Sequence, residues 1–561
     1  MENTVNPHFA RVTVNSSTDF TITNEGFRGM GIKEGQSYAF SVWARREDGT
    51  SGTLRVDIVS KEGKILGSSE IQIAGKEWKN YSVNLASKGT DAKASVSLVF
   101  KGKGVTDVDM ISLFPQDTWK QRPGGLRKDL VQLLADMKPG FVRFPGGCIV
   151  EGFGLDTRYQ WKKTVGDINQ REMIKNRWND EFKHRPAPDY YQTFGLGFYE
   201  YFQLAEDIGA APLPILNCGM ACQFNSAEVV PLNELDPYLQ DALDLIEFAN
   251  GSAQSKWGKV RAEMGHPESF NLKYLGIGNE QWGPQYIDRY KIFADAIHAR
   301  YPEIKLVSSA GPTADGELFN FASNELKELK ADIVDEHYYQ KPEWFLSNAG
   351  RYDSYDRNGP RIFAGEYAAQ SVATVSPENK NNWLCAMSEA AFMTGLERNA
   401  DVVYMASYAP LFAHTDGWQW TPDLIWFDNL SSFGTPNYYV QKLFSVNKGT
   451  RIVSLLSNSH AVEGENGLFA SAVIDDQSHE LILKLVNTNQ QTTNVELEVK
   501  GSLKRNGQAR VWKMNAQPDA VNSLENPQAI APKESTLAVS GNKLALVLDK
   551  QSFSVVRIPL K

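Results

Sequence analysis

Two glutamates stand at the ends of short apolar runs. Glu280 closes Tyr274-Leu275-Gly276-Ile277-Gly278-Asn279-Glu280, and Glu366 closes Arg361-Ile362-Phe363-Ala364-Gly365-Glu366. Such a run reads as a buried parallel strand, and a residue just past its end sits where (β/α) barrels keep their chemistry. Two acids facing one cavity are what cleavage of a glycosidic bond requires. One protonates the leaving oxygen while the other attacks the sugar carbon or activates water. Either glutamate alone reads better as an ion-paired structural residue at a strand end; it is the pair, in its context, that points to chemistry.

The elements that must position them follow from periodicity. From about residue 8 to 114 apolar residues alternate, as in Tyr38, Phe40, Val42 and Ala44 or Ala94, Val96, Leu98 and Phe100, with breakers such as Lys33-Glu34-Gly35 between runs. That is the pattern of an antiparallel β-sandwich. After residue 116 helical stripes precede short buried runs. Leu126, Leu130, Val131 and Leu134 lead to Phe141–Gly147; Tyr201, Leu204, Ala205 and Ile208 lead to Ala211–Asn217; Tyr238, Ala242, Leu245, Ile246 and Ala249 precede the run ending at Glu280. Further strands are expected at Ile304–Ser308, Ile333–Tyr339, Ile362–Glu366 and Val402–Ser407. Helix–strand alternation of this length predicts a parallel α/β barrel. From residue 445 alternation returns, as in Leu481, Leu483 and Leu485. The fold class expected is therefore α/β plus all-β: a sandwich at 1–115, a catalytic barrel at 116–444 and a second sandwich at 445–561.

At 561 residues the chain needs several cores. The net charge of −9 is spread along it and no basic cluster suggests nucleic acid. No run has membrane-spanning length and the first 30 residues hold no apolar signal core. Cys148, Cys218, Cys222 and Cys385 show no disulfide-scaffold spacing, and Cys218-x-x-x-Cys222 lacks a second Cys/His pair nearby, so zinc is not expected and buried free thiols are.

Four segments carry a family resemblance: Arg143-Phe-Pro-Gly-Gly-Cys-Ile-Val-Glu-Gly152, Gly276-Ile-Gly-Asn-Glu280, Ala364-Gly-Glu-Tyr-Ala368 and Met405-Ala-Ser-Tyr-Ala-Pro-Leu-Phe412. In this order they resemble glycoside hydrolase family 51, chiefly retaining α-L-arabinofuranosidases, in the branch of plants and Bacteroides-type bacteria. The resemblance runs from about residue 6 into the C-terminal domain. It implies a (β/α)8 barrel flanked by β-sandwiches, the N-terminal one like a carbohydrate-binding module, with no metal or organic cofactor. It also implies an arabinose-containing polysaccharide or oligosaccharide as partner, an extracellular or periplasmic location, and frequent homo-oligomers.

By the same resemblance Glu280 is the general acid/base and Glu366 the nucleophile. Asn279 is expected to bind the sugar hydroxyl beside the anomeric carbon; without the resemblance a strand-end turn former would compete with that reading. Tyr339, rather than Tyr338, is expected to donate its hydroxyl to the nucleophile, with His337 supporting or merely structural. Arg143 can pair with a buried acid and orient it, and the Gly146-Gly147 turn lets backbone approach a ligand. Many family members carry Asn where this chain has Cys148, so the sugar contact at that position is open. Trp418 and Trp420 suit an aromatic wall or plain core packing.

Only seven barrel strands can be counted, where closure needs eight. Relatives place a first strand before the N-terminal sandwich, so the sequence is expected to be N-terminally incomplete, with an open seam between Phe141–Gly147 and Val402–Ser407 and a tendency to aggregate. With the missing strand numbered first, Glu280 ends strand four and Glu366 strand seven. The expected activity is exo-acting removal of terminal arabinofuranosyl units from arabinoxylan, arabinan or oligosaccharides. An endo-β-glycanase of the same barrel type and a truncated non-catalytic carbohydrate-binding protein are the alternatives.

Overall fold

The computed structural model describes residues 3–180, 191–501, 507–539 and 541–561. The N-terminal alternation forms two antiparallel sheets. One orders Ala10–Val14, Gly104–Pro115, Ser37–Arg46 and Lys79–Ala86; the other orders Phe20–Asn24, Asp91–Lys101, Ser51–Val59 and Ile65–Ala74, with Met30–Ile32 beside Asp91–Lys101. Their inward residues, among them Phe40, Val42, Leu54, Val56 and Leu98, make a core of their own. The period-two pattern has that cause: alternate side chains of each strand face this core.

The central region is a curled parallel sheet of seven strands: Phe141–Phe144, Ala211–Leu216, Tyr274–Ile277, Lys305–Ser309, Ile333–Gln340, Arg361–Ala369 and Val403–Tyr408. Each neighbouring pair is parallel. The expected strands are all present, but two end earlier than their apolar runs suggested. Pro145–Gly147 and Gly278–Glu280 lie beyond the last ladder pair, in turns where the backbone leaves the sheet. Helices Phe198–Asp207, Asp236–Asn250, Pro284–Arg300 and Gly316–Glu328 connect the strands.

Among the described residues no strand pairs between Phe141–Phe144 and Val403–Tyr408, so the barrel stays open along that seam. A cavity of about 1610 Å³ begins beside Glu280 and Glu366 and continues between these edges, past Phe141, Val142, Tyr404 and Met405, to Leu134, Met137, Met393 and Phe444.

The C-terminal region forms a six-stranded antiparallel sheet, Arg451–Val453, Leu468–Asp475, Glu480–Asn487, Ser552–Pro559, Gln508–Asn515 and Lys533–Ala538, with the hairpin-like pair Thr493–Glu498 and Lys543–Leu548 alongside. One face shares a core with the barrel through Phe469, Val473, Ile482 and Val555, and the other has its own core around Leu483, Val511 and Leu546. The helix Trp383–Arg398 lies between barrel and sheet and is buried on nearly every side, which is why it shows no amphipathic stripe. Lys484, fully buried on that face, pairs with Glu397 of the helix and donates to Asn447 O at 2.7 Å.

Glu389 of the same helix is fully buried, with Oε1 accepting from the Ala369 amide at 2.8 Å. Burial pushes its carboxyl up to about 8, although the Ala369 amide and the Asn437 and Gln441 side chains oppose this. Below pH 4.5 folded and unfolded chains both carry this proton. Between pH 4.5 and about 8 the unfolded chain releases it and the folded one keeps it, so stability falls as pH rises through that window. Glu389→Gln should remove this part of the slope, worth on the order of 4 kcal/mol at most. Urea midpoints of both proteins at pH 5 and pH 8 check it; parallel losses would sink the assignment.

Candidate active site

Both acids sit at the carboxyl end of the parallel sheet. After Tyr274–Ile277 the chain turns at Gly278 (φ 78°), and Glu280 itself is left-handed (φ 51°). A glutamate rarely adopts that conformation, and it marks a place where the surroundings impose the backbone. A Cβ on Gly278 would come within 2.4 Å of Gln281 Oε1, so glycine is needed there.

Glu366 is aimed by a different device. Register between Ile333–Gln340 and Arg361–Ala369 runs Asp335 to Phe363 and Glu336 to Ala364, then shifts so that His337 pairs with Glu366. Gly365 is the extra residue. Without this bulge Glu366 would share a face with Glu336 and Tyr338; with it, Glu366 joins Asp335, His337 and Tyr339. A Cβ on Gly365 would lie 1.8 Å from Asp335 Oδ1, so only glycine makes the bulge here.

The bulge also separates the two tyrosines. Tyr339 donates to Glu366 Oε2 at 2.7 Å, whereas Tyr338 is fully buried among Glu336 and Tyr352. Arg143 Nη1 donates to Glu366 Oε1 at 2.8 Å, and its Nη2 reaches Asn279 Oδ1 at 2.7 Å and Asp335 Oδ2 at 3.4 Å. Gly147 lies directly against the nucleophile candidate: its Cβ would be 2.8 Å from Glu366 Oε1.

His337 bridges the pair. Nδ1 is 2.8 Å from Glu280 Oε1 and 3.7 Å from Glu366 Oε2, while Nε2 faces Asp335 at 3.3 Å. One carboxylate oxygen of Glu280, one of Glu366 and a His337 ring nitrogen lie within 4.8 Å of one another. The range of about 5 Å is the one used by glycosidases with a carboxylate nucleophile. Burial alone would raise the Glu366 carboxyl, but the His337 and Arg143 charges and the Tyr339 hydroxyl hold it below its ordinary range. Burial works the other way on the imidazole, yet Glu366 and Asp335 hold His337 well above its usual range. The site therefore favours the ionised form of Glu366.

Asn279 faces both Arg143 and Glu151. It is 1% exposed, with Oδ1 taken by Arg143 and Nδ2 donating to Glu151 Oε2 at 3.0 Å. It braces Arg143, and its second Nδ2 hydrogen and the second lone pair of Oδ1 remain for a sugar hydroxyl. Cys148 is half-buried rather than buried, with Sγ 3.6 Å from Glu280 Oε2. The other three cysteines are buried and free. Trp420 packs edge-on to Tyr339 with ring centroids 5.4 Å apart, Trp418 lies 6.3 Å from Trp426, and both tryptophans line the cleft.

Sequence reasoning passed over Glu151, although it lies inside the quoted Arg143–Gly152 motif. It is 2% exposed, bound by Asn279 and by Gln281 Nε2 at 2.9 Å, and burial raises its carboxyl well above the usual range. Asp335 and Cys222 were also passed over as neighbours of the site.

Comparison with known proteins gives the family. Residues 133–357 match the family described as Alpha-L-arabinofuranosidase 1 domain, and 365–552 match the Alpha-L-arabinofuranosidase C-terminal domain. The chain is 45% identical over 447 residues to the extracellular exo-alpha-L-arabinofuranosidase of Streptomyces chartreusis, covering 77% of this chain but 51% of that protein, so it spans about half of that relative's length. It is 36% identical to alpha-L-arabinofuranosidase 1 of Arabidopsis thaliana over 95% of this chain and 75% of that one. An arabinose-bound solved structure, the MgGH51 α-L-arabinofuranosidase, superposes with TM-score 0.88 at 31% identity over 100% of this chain and 88% of that chain. The chain belongs to glycoside hydrolase family 51, the α-L-arabinofuranosidases.

Proposed function

We propose that the chain is an exo-acting, configuration-retaining α-L-arabinofuranosidase that removes terminal arabinofuranosyl units from arabinoxylan, arabinan or their oligosaccharides. One observation carries the reading: an ionised Glu366, clamped by Arg143 and Tyr339, faces Glu280 across a gap too small for a separate attacking water. In the first step Glu366 attacks the anomeric carbon and Glu280 gives its proton to the departing oxygen. Esterification removes the Glu366 charge, which frees Glu280 to act as base and take a proton from the incoming water. His337, in contact with both acids, is placed to steady the charge as it moves from one to the other. The relative from Streptomyces is named extracellular, and we place this chain outside the cytoplasm with it; no described helix is long and apolar enough to cross a membrane.

A panel of nitrophenyl glycosides tests the activity, with proton NMR of the first-formed sugar for stereochemistry. Turnover of the α-L-arabinofuranoside with the α-anomer released first is expected. Hydrolysis of β-glucan or β-xylan without arabinofuranoside turnover would favour the endo-glycanase, and binding without turnover the non-catalytic alternative.

Tyr339→Phe removes one hydrogen bond to a charged group and should lower kcat by an amount equivalent to about 1–3 kcal/mol, with KM and fold little changed. Tyr338→Phe should instead lower stability, since Tyr338 serves the buried Glu336. The reverse pattern in kinetics and thermal melts would show that the wrong tyrosine faces the chemistry.

A further inference from the structure

Along the sequence Cys222 pairs with Cys218 at a spacing that suggests nothing. The fold pairs it with Cys148 instead. Cys148 and Glu151 lie three residues apart in one turn, closed by Glu151 N to Cys148 O at 3.2 Å, so their side chains leave the same side. Cys222 lies on the loop after Ala211–Leu216, and its amide reaches Gly152 O at 3.3 Å, tying that loop to the turn. One donor atom from each of Cys148, Glu151 and Cys222 then lies within 4.8 Å of the others. A tetrahedral ion with metal–sulfur bonds of about 2.3 Å needs sulfurs about 3.8 Å apart, which small side-chain rotations supply.

We propose that Cys148, Cys222 and Glu151 bind a soft divalent metal ion, zinc or cadmium, which then takes Glu280 as a fourth ligand and silences the site. Two sulfurs and one carboxylate select such ions over magnesium or calcium. The supporting shell is already built: Glu151 is held by the Asn279 and Gln281 amides. Charge also balances. A dication with two thiolates and one carboxylate carries one net negative charge, which Arg177 Nη2, 3.4 Å from Cys222 Sγ, offsets; capture of Glu280 adds a second, facing the His337 that already contacts Glu280. Cys148 lines the open cleft beside Glu280, so an ion reaches the site through the same opening as substrate. Its sulfur is 3.6 Å from Glu280 Oε2, which puts Glu280 within reach as a further oxygen donor. A proton donor that has become a metal ligand can no longer protonate a leaving group.

The inhibition rests on the proposed glycosidase reading, whereas binding does not, and the test keeps them apart. The full chain, kept reduced with a phosphine, is titrated with cadmium while the ultraviolet cadmium–thiolate band is followed. One equivalent should produce the band. Cys222→Ser and Cys148→Ser should lose it, Glu151→Gln should weaken the affinity at least tenfold, and Cys385→Ser should keep both. In parallel, zinc should stop hydrolysis of nitrophenyl α-L-arabinofuranoside reversibly on chelation, with the half-inhibitory concentration at least tenfold higher in Cys222→Ser, each variant measured against its own metal-free rate. No band in the wild-type protein, or a band unchanged in Cys222→Ser with circular dichroism showing intact fold, overturns the site. A band without inhibition overturns the capture of Glu280 alone.

Discussion

Glu366→Gln is expected to stay folded and to lose hydrolysis of every arabinofuranoside, by a factor on the order of 10⁵ in kcat. The amide keeps the shape of the carboxylate and can still accept from Arg143 through its one oxygen while its NH2 faces the Tyr339 hydroxyl, which can turn to accept, but it cannot form the glycosyl ester. Glu366→Ala is the harsher test, because it leaves the buried Arg143 and His337 charges without their main counter-ion. It opens space for a small anion, however. Azide entering there attacks from the nucleophile's side, opposite the leaving group, so the azide product should have inverted configuration. Rates near wild type in either variant, or no azide product from an activated substrate, would remove Glu366 from the role.

Glu280→Ala should divide substrates by their leaving groups. Alkyl and sugar leaving groups need the proton that Glu280 supplies, and their turnover should fall by about 10³–10⁴. Dinitrophenolate needs almost none, so the first step should survive and the ester on Glu366 should accumulate, visible as a burst. Azide now attacks that ester from the vacated leaving-group side and should give a product of retained configuration. Opposite stereochemistry from the two alanine variants would assign both roles in one experiment. Equal losses across all leaving groups would argue against Glu280 as the acid.

Much of this site was legible from local pattern. Strand ends are readable because a buried parallel strand is an apolar run with an abrupt polar end; Glu280 lies just past such an end, whereas Glu366, expected to close its strand, sits inside Arg361–Ala369, which runs three residues further. The choice of Tyr339 over Tyr338 rested on family likeness and on register, and its physical reason is the bulge at Gly365. A single glycine in an apolar run does not announce a register shift; the partner strand is needed to see it. Glu151 and Cys222 were invisible for a related reason, since their neighbours come from turns more than 70 residues apart, and spacing along the chain says nothing about such a meeting. For Asn279 likeness gives only the position; its bonds to Arg143 and Glu151 need the fold to be seen. The helix Trp383–Arg398 had no period to read because all its faces are covered.

That helix sets how the molecule comes apart. The N-terminal sandwich encloses its own core and meets the rest largely through polar contacts, such as Asn429 Nδ2 with Ala92 O at 2.7 Å and Lys93 with Asp416. The C-terminal sheet has no such independence. It covers the helix that follows the strand of Glu366, holds Trp383 Nε1 through Gln551 O at 2.8 Å, and buries Lys484 against Glu397. Stripping it away would expose an apolar helix and strand a charge. The sheet and the catalytic core are therefore one cooperative unit with a shared melting transition, in which heating cannot free the C-terminus while sparing activity. The N-terminal sandwich is the part of the chain that can melt, or be exchanged, by itself.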